Sequence, residues 1–386
     1  MASVIDLSQV SPSGLLEFTS DETLQNIRIP EVNHIGVYAG KSTKDFPDNG
    51  ENYFGPISGV TWKDVTIDSG KKWGSRSYNM RSARVLNTTI NNINLIPTSE
   101  HAIYWSLIGD CGPQDVLYFD GLTASGIGGQ VFQFASRATE ALAENMQGQW
   151  PTIFLKNCVG INTATLPDHR GSYAYSAFFH ENGYISGDSG PRTIGNDISG
   201  IYAMQNCYLD NRMQERSKGN VVVEGRYITY IDRCAFAASS YDKQGSEGGQ
   251  TAVVLRGPYT ANDVEALKNF NIGNSNRITF SLDDWIAPPY RTLIIRNSWF
   301  VEENPGSFGR VVIRGFDNIY IQGNKGNLDL LIQDEQAGVQ NLSFDLIKDG
   351  ETITEASRVQ YDVYNGSITD DVHFVRDASG VLQQVS

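Results

Sequence analysis

Two of the chain's five histidines, His169 and His180, each stand beside an acid: Asp168 precedes the first and Glu181 follows the second, with Arg170 completing the first group. Histidine is the side chain most readily tuned to take and return a proton near neutral pH. A neighbouring carboxyl supplies the second partner that general acid–base chemistry needs. Tyr173, Tyr175 and Tyr184 surround these residues, and tyrosine rings stack on flat ligands or equally pack a loop down with the hydroxyl in water. The stretch reads either as an acid–base site with a binding platform or as a loop of solvated charges.

A second grouping runs through DNRMQERSKGN and beyond, with Asp210, Arg212, Glu215, Arg216, Lys218, Glu224 and Arg226. Alternating acid and base suits a carboxylate pair with a substrate-binding arginine, and it also suits a surface lattice of salt bridges. A third comprises Glu100, His101 and Asp110 with Trp105 between them, read as the lining of a groove or as turn residues beside a core-edge tryptophan. No metal ligands are assigned. The acidic pairs Asp283–Asp284 and Asp370–Asp371 lack calcium-loop spacing around them, and the four cysteines show no zinc-type spacing. GLTASGIGGQ at 121–130 lacks the lysine of a phosphate loop.

These groups need a scaffold, and a recurring pattern supplies one. An alternating apolar run, then Asn or Asp, then a small residue, then apolar again appears around Asp64, Asn87, Asp120, Asn157, Asn206, Arg233, Asn297 and Asn341. Period-two alternation marks strands. Strands recurring at a loop-tolerant spacing, with gaps of 23, 33, 37, 49, 27 and 64 residues through Asn297, suggest one coil of a solenoid per repeat. The Asn or Asp stands where the chain must turn, because these residues tolerate the left-handed conformation, and stacked copies can form side-chain ladders. Cys158, Cys207 and Cys234 share one position of the unit with Ser298 and Thr88, as an inward, small, stacked core position requires.

The pattern of an apolar run followed by Asn and a small residue resembles the right-handed parallel β-helix proteins typified by pectate lyases, polygalacturonases, alginate-acting enzymes and bacteriophage tailspikes. The resemblance implies an all-β chain: a single-stranded right-handed parallel β-helix over 26–348, an N-terminal cap at 1–25 and a small antiparallel β-hairpin appendage at 349–386. Loop insertions are placed at 136–149, read as a short surface helix, and at 162–200 and 239–276. It also implies binding and cleavage of an extended polysaccharide. Hydrolysis by paired carboxylates is favoured over elimination on a uronate, since an acidic protein repels a polyanion. The alternatives are a uronate lyase using a basic residue, with or without calcium, and a non-catalytic phage structural or adhesion protein.

On this reading Asp168, His169, His180, Glu181, Glu215 and Glu224 are the catalytic candidates. Arg170, Tyr173, Tyr175, Arg212, Arg216, Lys218, Arg226, His101 and Trp105 are the substrate-binding ones. No cofactor is firmly implied, calcium being required only for an anionic substrate. The resemblance to tailspikes further implies a homotrimer and an extracellular or virion-associated location.

Composition agrees with a folded β protein. The 386 residues include 38 glycines and are 40% hydrophobic and 19% charged, which excludes a disordered chain. With 30 Lys and Arg against 44 Asp and Glu the net charge is −14. Basic residues read as scattered singly, so no nucleic-acid partner is expected. No segment is apolar for the ~18–20 residues that span a bilayer, so no membrane insertion is expected. The opening MASVIDLSQVSPSGLLEF has neither a basic start nor a signal-length apolar run.

Overall fold

Alternating apolar residues bounded by residues suited to left-handed turns favour short strands that bury one face, and short strands are what form. The structure, a computed structural model, describes residues 3–4, 15–37, 57–77, 80–93, 101–106, 115–129, 131–135, 152–163, 177–181, 184–187, 192–193, 201–210, 221–223, 228–237, 251–256, 292–301, 309–314, 318–326, 328–334, 341–348, 351–354, 359–363, 372–376 and 382–385. Among them there is no helix. The described residues are all-β, with parallel strands in curled sheets, and the chain divides into two compact units, Met1–Ser189 and Gly190–Ser386. The segment 136–149, expected as a helix, lies outside the described residues, as does 239–250.

In the first unit one parallel ladder runs through Thr23–Ile29, Val60–Ile67, Ala83–Leu86, Val116–Asp120, Thr152–Lys156 and Ala177–Glu181. A second runs through Thr89–Ile93, Thr123–Ile127, Val159–Thr163 and Tyr184–Gly187. A third joins Leu15–Glu17, His34–Val37, Ser75–Ser77, Ile103–Ser106 and Phe132–Ala135. From Ala83 to Ala135 the chain visits the three ladders in the same order twice. Strands also occupy parts of two regions read as cap and insertion: residues 3–4 and 15–17 already pair in parallel, and 177–181 and 184–187 carry a further rung inside 162–200.

Register stacks like on like. Trp62, Val85, Phe119 and Leu155 stand opposite one another in one inward column and are fully or almost fully buried. Edge-on contacts join Phe18 to Trp62 at 5.7 Å and Trp62 to Trp105 at 6.0 Å between ring centres, and Trp105 tilts onto Phe119 at 5.2 Å. Such pairs add about 0.5–1.5 kcal/mol each beyond the area they bury.

At the corners the left-handed residues are Asp64, Asn87 and Asn157, with φ of 55°, 47° and 52°. In the copy centred on Asp120 the turn falls one residue later, on Gly121 at φ 72°. Asp120 is therefore the last residue of its strand, because glycine enters the left-handed region without a Cβ penalty and takes the turn. The polar corner side chains bridge coils, as Asn87 Nδ2 donates to Asp64 Oδ1 at 3.3 Å.

The second unit is built alike. Ile201–Gln205, Ile228–Asp232, Thr292–Arg296, Asn318–Gly326 and Asn341–Lys348 form one parallel ladder. Tyr208–Asp210, Ala235–Ala237 and Trp299–Val301 lead a second into the end of Asn318–Gly326. A third joins Arg192–Thr193, Val221–Val223, Thr251–Arg256, Gly309–Arg314, Leu328–Asp334 and Val359–Val363. Antiparallel pairing begins where Glu351–Thr354 folds back on Asn341–Lys348, and continues through Val359–Val363, Val372–Arg376 and Leu382–Val385.

Asn206, Arg233 and Asn297 are left-handed, followed by Gly323. Asn341 is not a corner residue: it opens its strand opposite Asn318. Asp345 is the residue whose carboxylate accepts the Gly323 N–H.

The small position after each corner behaves uniformly. Cys158, Cys207 and Cys234 are buried free thiols whose Sγ atoms lie 3.3, 3.3 and 3.4 Å from the carbonyls of Lys156, Gln205 and Asp232. Thr88 and Ser298 donate likewise to Leu86 and Arg296. Each takes the carbonyl two residues back, and those of Lys156, Asp232 and Arg296 also accept the backbone N–H of Gly121, Asn206 and Arg233 from the neighbouring rung. Burial pushes the Cys158 thiol up to about 12, so it stays protonated and inert. Cys111 lies outside the described residues.

Candidate functional site

Side chains alternate across a strand, so the residue just before each corner faces outward when the one before it is buried. In the first unit this outward column reads Lys63, Leu86, Asp120, Lys156 and Glu181, each opposite the next. Two positions earlier a parallel column reads Thr61, Arg84, Tyr118 and Phe154. The first column carries charge and the second carries rings.

Asp120 is held at both oxygens. Tyr118 donates its hydroxyl to Oδ2 at 3.0 Å, and Asn157, the corner residue of the next coil, donates Nδ2 to Oδ1 at 2.8 Å. Lys156, directly opposite Asp120, places Nζ 3.7 Å from Glu181 Oε2. The Lys156 side chain is 27% exposed and that of Glu181 13%, so both remain within reach of solvent. Arg84 lies over the Tyr118 ring at 5.9 Å, and Tyr118 and Phe154 tilt together at 6.3 Å. Two strand spacings of ~4.8 Å put the backbones of Asp120 and Glu181 about 9.5 Å apart. The arrangement is two oriented carboxyl groups flanking an ammonium, beside a strip of aromatic rings.

The matching column of the second unit reads Gln205, Asp232, Arg296 and Gln322. Asp232 is 2% exposed and is committed on every side. Gln205 Nε2 and Asn297 Nδ2 each donate to it at 3.1 Å, while Arg233 and Arg296 approach at 3.2 and 3.4 Å. Arg296 also lies over the Tyr230 ring at 5.1 Å. Burial, reinforced by the Asp232 charge, pushes the Tyr230 hydroxyl up to about 12.

Of the residues singled out from sequence, Glu181 joins the first column. His180 precedes it, in register with Leu155 and hence with the column of Phe119 and Val85; its side chain lies outside the described residues. Trp105 is fully buried, and its indole N–H donates to Ser75 Oγ at 2.8 Å, so its ring belongs to the interior. His101 is nearly buried and meets the Tyr104 ring edge-on at 5.6 Å. Asp168, His169, Arg170, Tyr173, Tyr175, Arg212, Glu215, Arg216, Lys218, Glu224 and Arg226 lie outside the described residues. Among the described residues no group of three His, Cys, Asp or Glu is placed to hold a metal ion.

Asp120 and Lys156 are not among the candidates read from sequence, although a signal for them exists. FFHEN at 178–182 is a copy of the repeat that reads FLKN at 154–157. Aligning the residue before each corner brings Asp120, Lys156 and Glu181 into one column. In comparisons with protein-family models, curated proteins and solved structures, nothing matches the chain.

Proposed function

We propose that the chain is a right-handed parallel β-helix that binds an extended polysaccharide across the outward columns of its first unit and hydrolyses it with Asp120 and Glu181. Three parallel ladders visited in a fixed order support the solenoid. Parallel crossover connections are right-handed in ~98% of cases, which supplies the hand.

The observation that carries the hydrolytic reading is a pair of outward carboxyl groups two rungs apart on one column. Inverting glycosidases hold their pair about 6.5–9.5 Å apart, leaving room for a water on the far side of the sugar, whereas retaining ones hold it at about 5–5.5 Å. The backbones of Asp120 and Glu181 are about 9.5 Å apart, a span that suits the wider spacing. Glu181, ion-paired with Lys156, takes a proton from the water as its oxygen bonds to the anomeric carbon. Asp120, held by the neutral donors Tyr118 and Asn157, gives a proton to the glycosidic oxygen as the carbon–oxygen bond breaks. Lys156 between them positions Glu181, and Tyr118, backed by the buried Phe154, offers a ring face for sugar C–H groups. A neutral or sparsely charged glycan is the substrate expected of a chain at −14, and calcium would be required only by a strongly anionic one.

The test is a panel of purified bacterial and algal polysaccharides, read for reducing ends and for the ultraviolet absorbance of unsaturated products. Reducing ends without unsaturation, with inverted anomeric configuration, support the proposal. Asp120→Asn and Glu181→Gln should each lower turnover about 10²–10⁴-fold. Unsaturated products would transfer the reading to a lyase. No product across a broad panel would transfer it to an adhesion protein. Full activity in both variants would return the chemistry to Asp168, His169, His180, Glu215 or Glu224.

A further inference from the structure

Acids outnumber bases in this chain by 44 to 30, so a base left without an ion pair is informative. In the first unit Arg28 pairs with Asp68, Lys71 with Glu31 and Arg81 with Asp115, each at 2.8 Å, and Lys156 pairs with Glu181. Lys63 and Arg84 are exposed, and among the described residues neither has an ion-pair partner. Both belong to the outward columns that carry the carboxyl pair.

Those columns extend one rung beyond Lys63, where Gln25 stands opposite Lys63 and Thr23 opposite Thr61. Ahead of Asp120 and Tyr118 they therefore read Gln25, Lys63, Leu86 and Thr23, Thr61, Arg84. No Asp or Glu stands in either column over these three rungs. The nearest acid along the chain, Asp64, is the corner residue, and its carboxylate accepts the Asn87 amide. Lys63 and Arg84 are one rung and two residues apart, about 8 Å between backbones, so both long side chains can meet one ligand group. Arg84 also lies over the Tyr118 ring at 5.9 Å, a contact that orders a guanidinium without neutralising it. The face is thus divided, with two cations and neutral polar groups on three rungs and then the carboxyl pair with its ammonium.

In an inverting displacement the water enters on one side of the anomeric carbon and the glycosidic oxygen departs on the other. With Glu181 at the water and Asp120 at the oxygen, the rungs beyond Asp120 meet the sugars that leave. We propose that Lys63 and Arg84 bind an oxyanion substituent, carboxylate or sulfate, on the leaving-group side of the cleaved bond, and that the substrate is a glycan of isolated rather than continuous negative charge. The placement rests on the hydrolytic reading above, while the anion preference stands on the two cations. The planar fork of Arg84 matches an oxyanion, and Thr23, Gln25 and Thr61 offer hydrogen bonds to neighbouring hydroxyls. A continuous polyanion would lay further charges against Asp120 and Glu181 in a chain of net charge −14. Nucleic acid meets the same objection, because its affinity comes from many phosphate contacts along a basic track.

Binding is measured apart from turnover, so failure of this site is separable from failure of the carboxyl pair. The full chain is titrated calorimetrically with uncharged dextran, lightly substituted carboxymethyl-dextran, lightly substituted dextran sulfate and poly(dT). At least one charged dextran should bind and uncharged dextran should not. Arg84→Gln should weaken that binding at least about 10-fold and Lys63→Gln about threefold. Lys325→Gln, at an exposed lysine of the second unit, should change it by less than about twofold. On a charged glycan that the panel shows to be cleaved, mass spectrometry should place the charged sugar nearest the cut on the side of the new non-reducing end. Its placement on the reducing side, binding unchanged in both variants, no binding of either charged dextran, or tighter binding of poly(dT) that Arg84→Gln abolishes would each overturn the proposal. Turnover that survives Asp120→Asn and Glu181→Gln would instead overturn the carboxyl pair and leave the binding result standing.

Discussion

Asp120 in the first unit and Asp232 in the second occupy the same place in the coil, one residue before a left-handed corner. Each receives the side-chain amide of an asparagine at the next corner of its ladder, Asn157 at 2.8 Å and Asn297 at 3.1 Å. Beyond that shared bond they diverge. Asp232 is buried under Arg233 and Arg296, with Gln205 filling a further acceptor position. Asp120 has a tyrosine hydroxyl and, across the ladder, a lysine that lies against Glu181 instead. A carboxylate ringed by guanidinium groups is structural, since any movement would strand buried charge. One oriented by neutral donors keeps lone pairs free to meet a ligand. One corner design therefore buries a carboxylate among guanidinium groups in one unit and leaves it oriented by neutral donors in the other, as the proposed chemistry requires, and the neighbouring rungs decide which.

Removing the carboxylates separates the two roles most sharply. Asp232→Ala should cost about 3 kcal/mol, because it leaves two arginines and two amides around an empty acceptor. Asp120→Ala should cost only about 1 kcal/mol, the net worth of ordinary hydrogen bonds. Urea denaturation of the two variants measures the difference, and equal losses would dissolve the distinction.

A smaller effect is expected at the corner itself. Gly121 has φ 72°, and a Cβ added there would fall 2.9 Å from Asn87 Oδ1. Gly121→Ala should destabilise by about 1–2 kcal/mol. Gly323, with φ 63° and the same 2.9 Å approach to Asn297 Oδ1, should respond alike in the second unit. A clear disparity in thermal midpoint would show that the corners are not equivalent.

The mildest signature is alkaline. Cys158 and Tyr230 both have folded values near 12, above their ordinary 9 and 10. The unfolded chain therefore loses these protons first, and stability from both groups is complete below pH 9 and declines as pH rises towards 12. Cys158→Ala should remove the part of the decline that starts near pH 9, and Tyr230→Phe the part that starts near pH 10. Denaturant midpoints between pH 8 and 11 measure both. A Tyr230→Phe profile identical to wild type would show that neither burial nor Asp232 raises the hydroxyl.

Much of the scaffold is legible in the order of residues. The left-handed corners at Asp64, Asn87, Asn157, Asn206, Arg233 and Asn297 follow from residue type and local spacing, and so does the buried row of Cys158, Cys207 and Cys234. The misplacements have local physical causes. Asp120 resembles a corner residue because aspartate tolerates that conformation, yet the following glycine tolerates it better. The rung at 177–181 resembles a loop because His180 and Glu181 follow its two phenylalanines, so its end reads as polar. The site is less legible: of its members only Glu181 is among the candidates that residue type and spacing single out.

What the chain carries in its own order is periodicity: alternation, small residues and turn formers act over a few positions, so strands and corners can be read locally. Which charges meet is a matter of register. It depends on loops of very unequal length closing so that Asp120, Lys156 and Glu181 fall on successive rungs, and so that Arg76 lands opposite Tyr104. Those contacts join residues 25 to 36 positions apart, and only the hydrogen-bonded ladders bring them together.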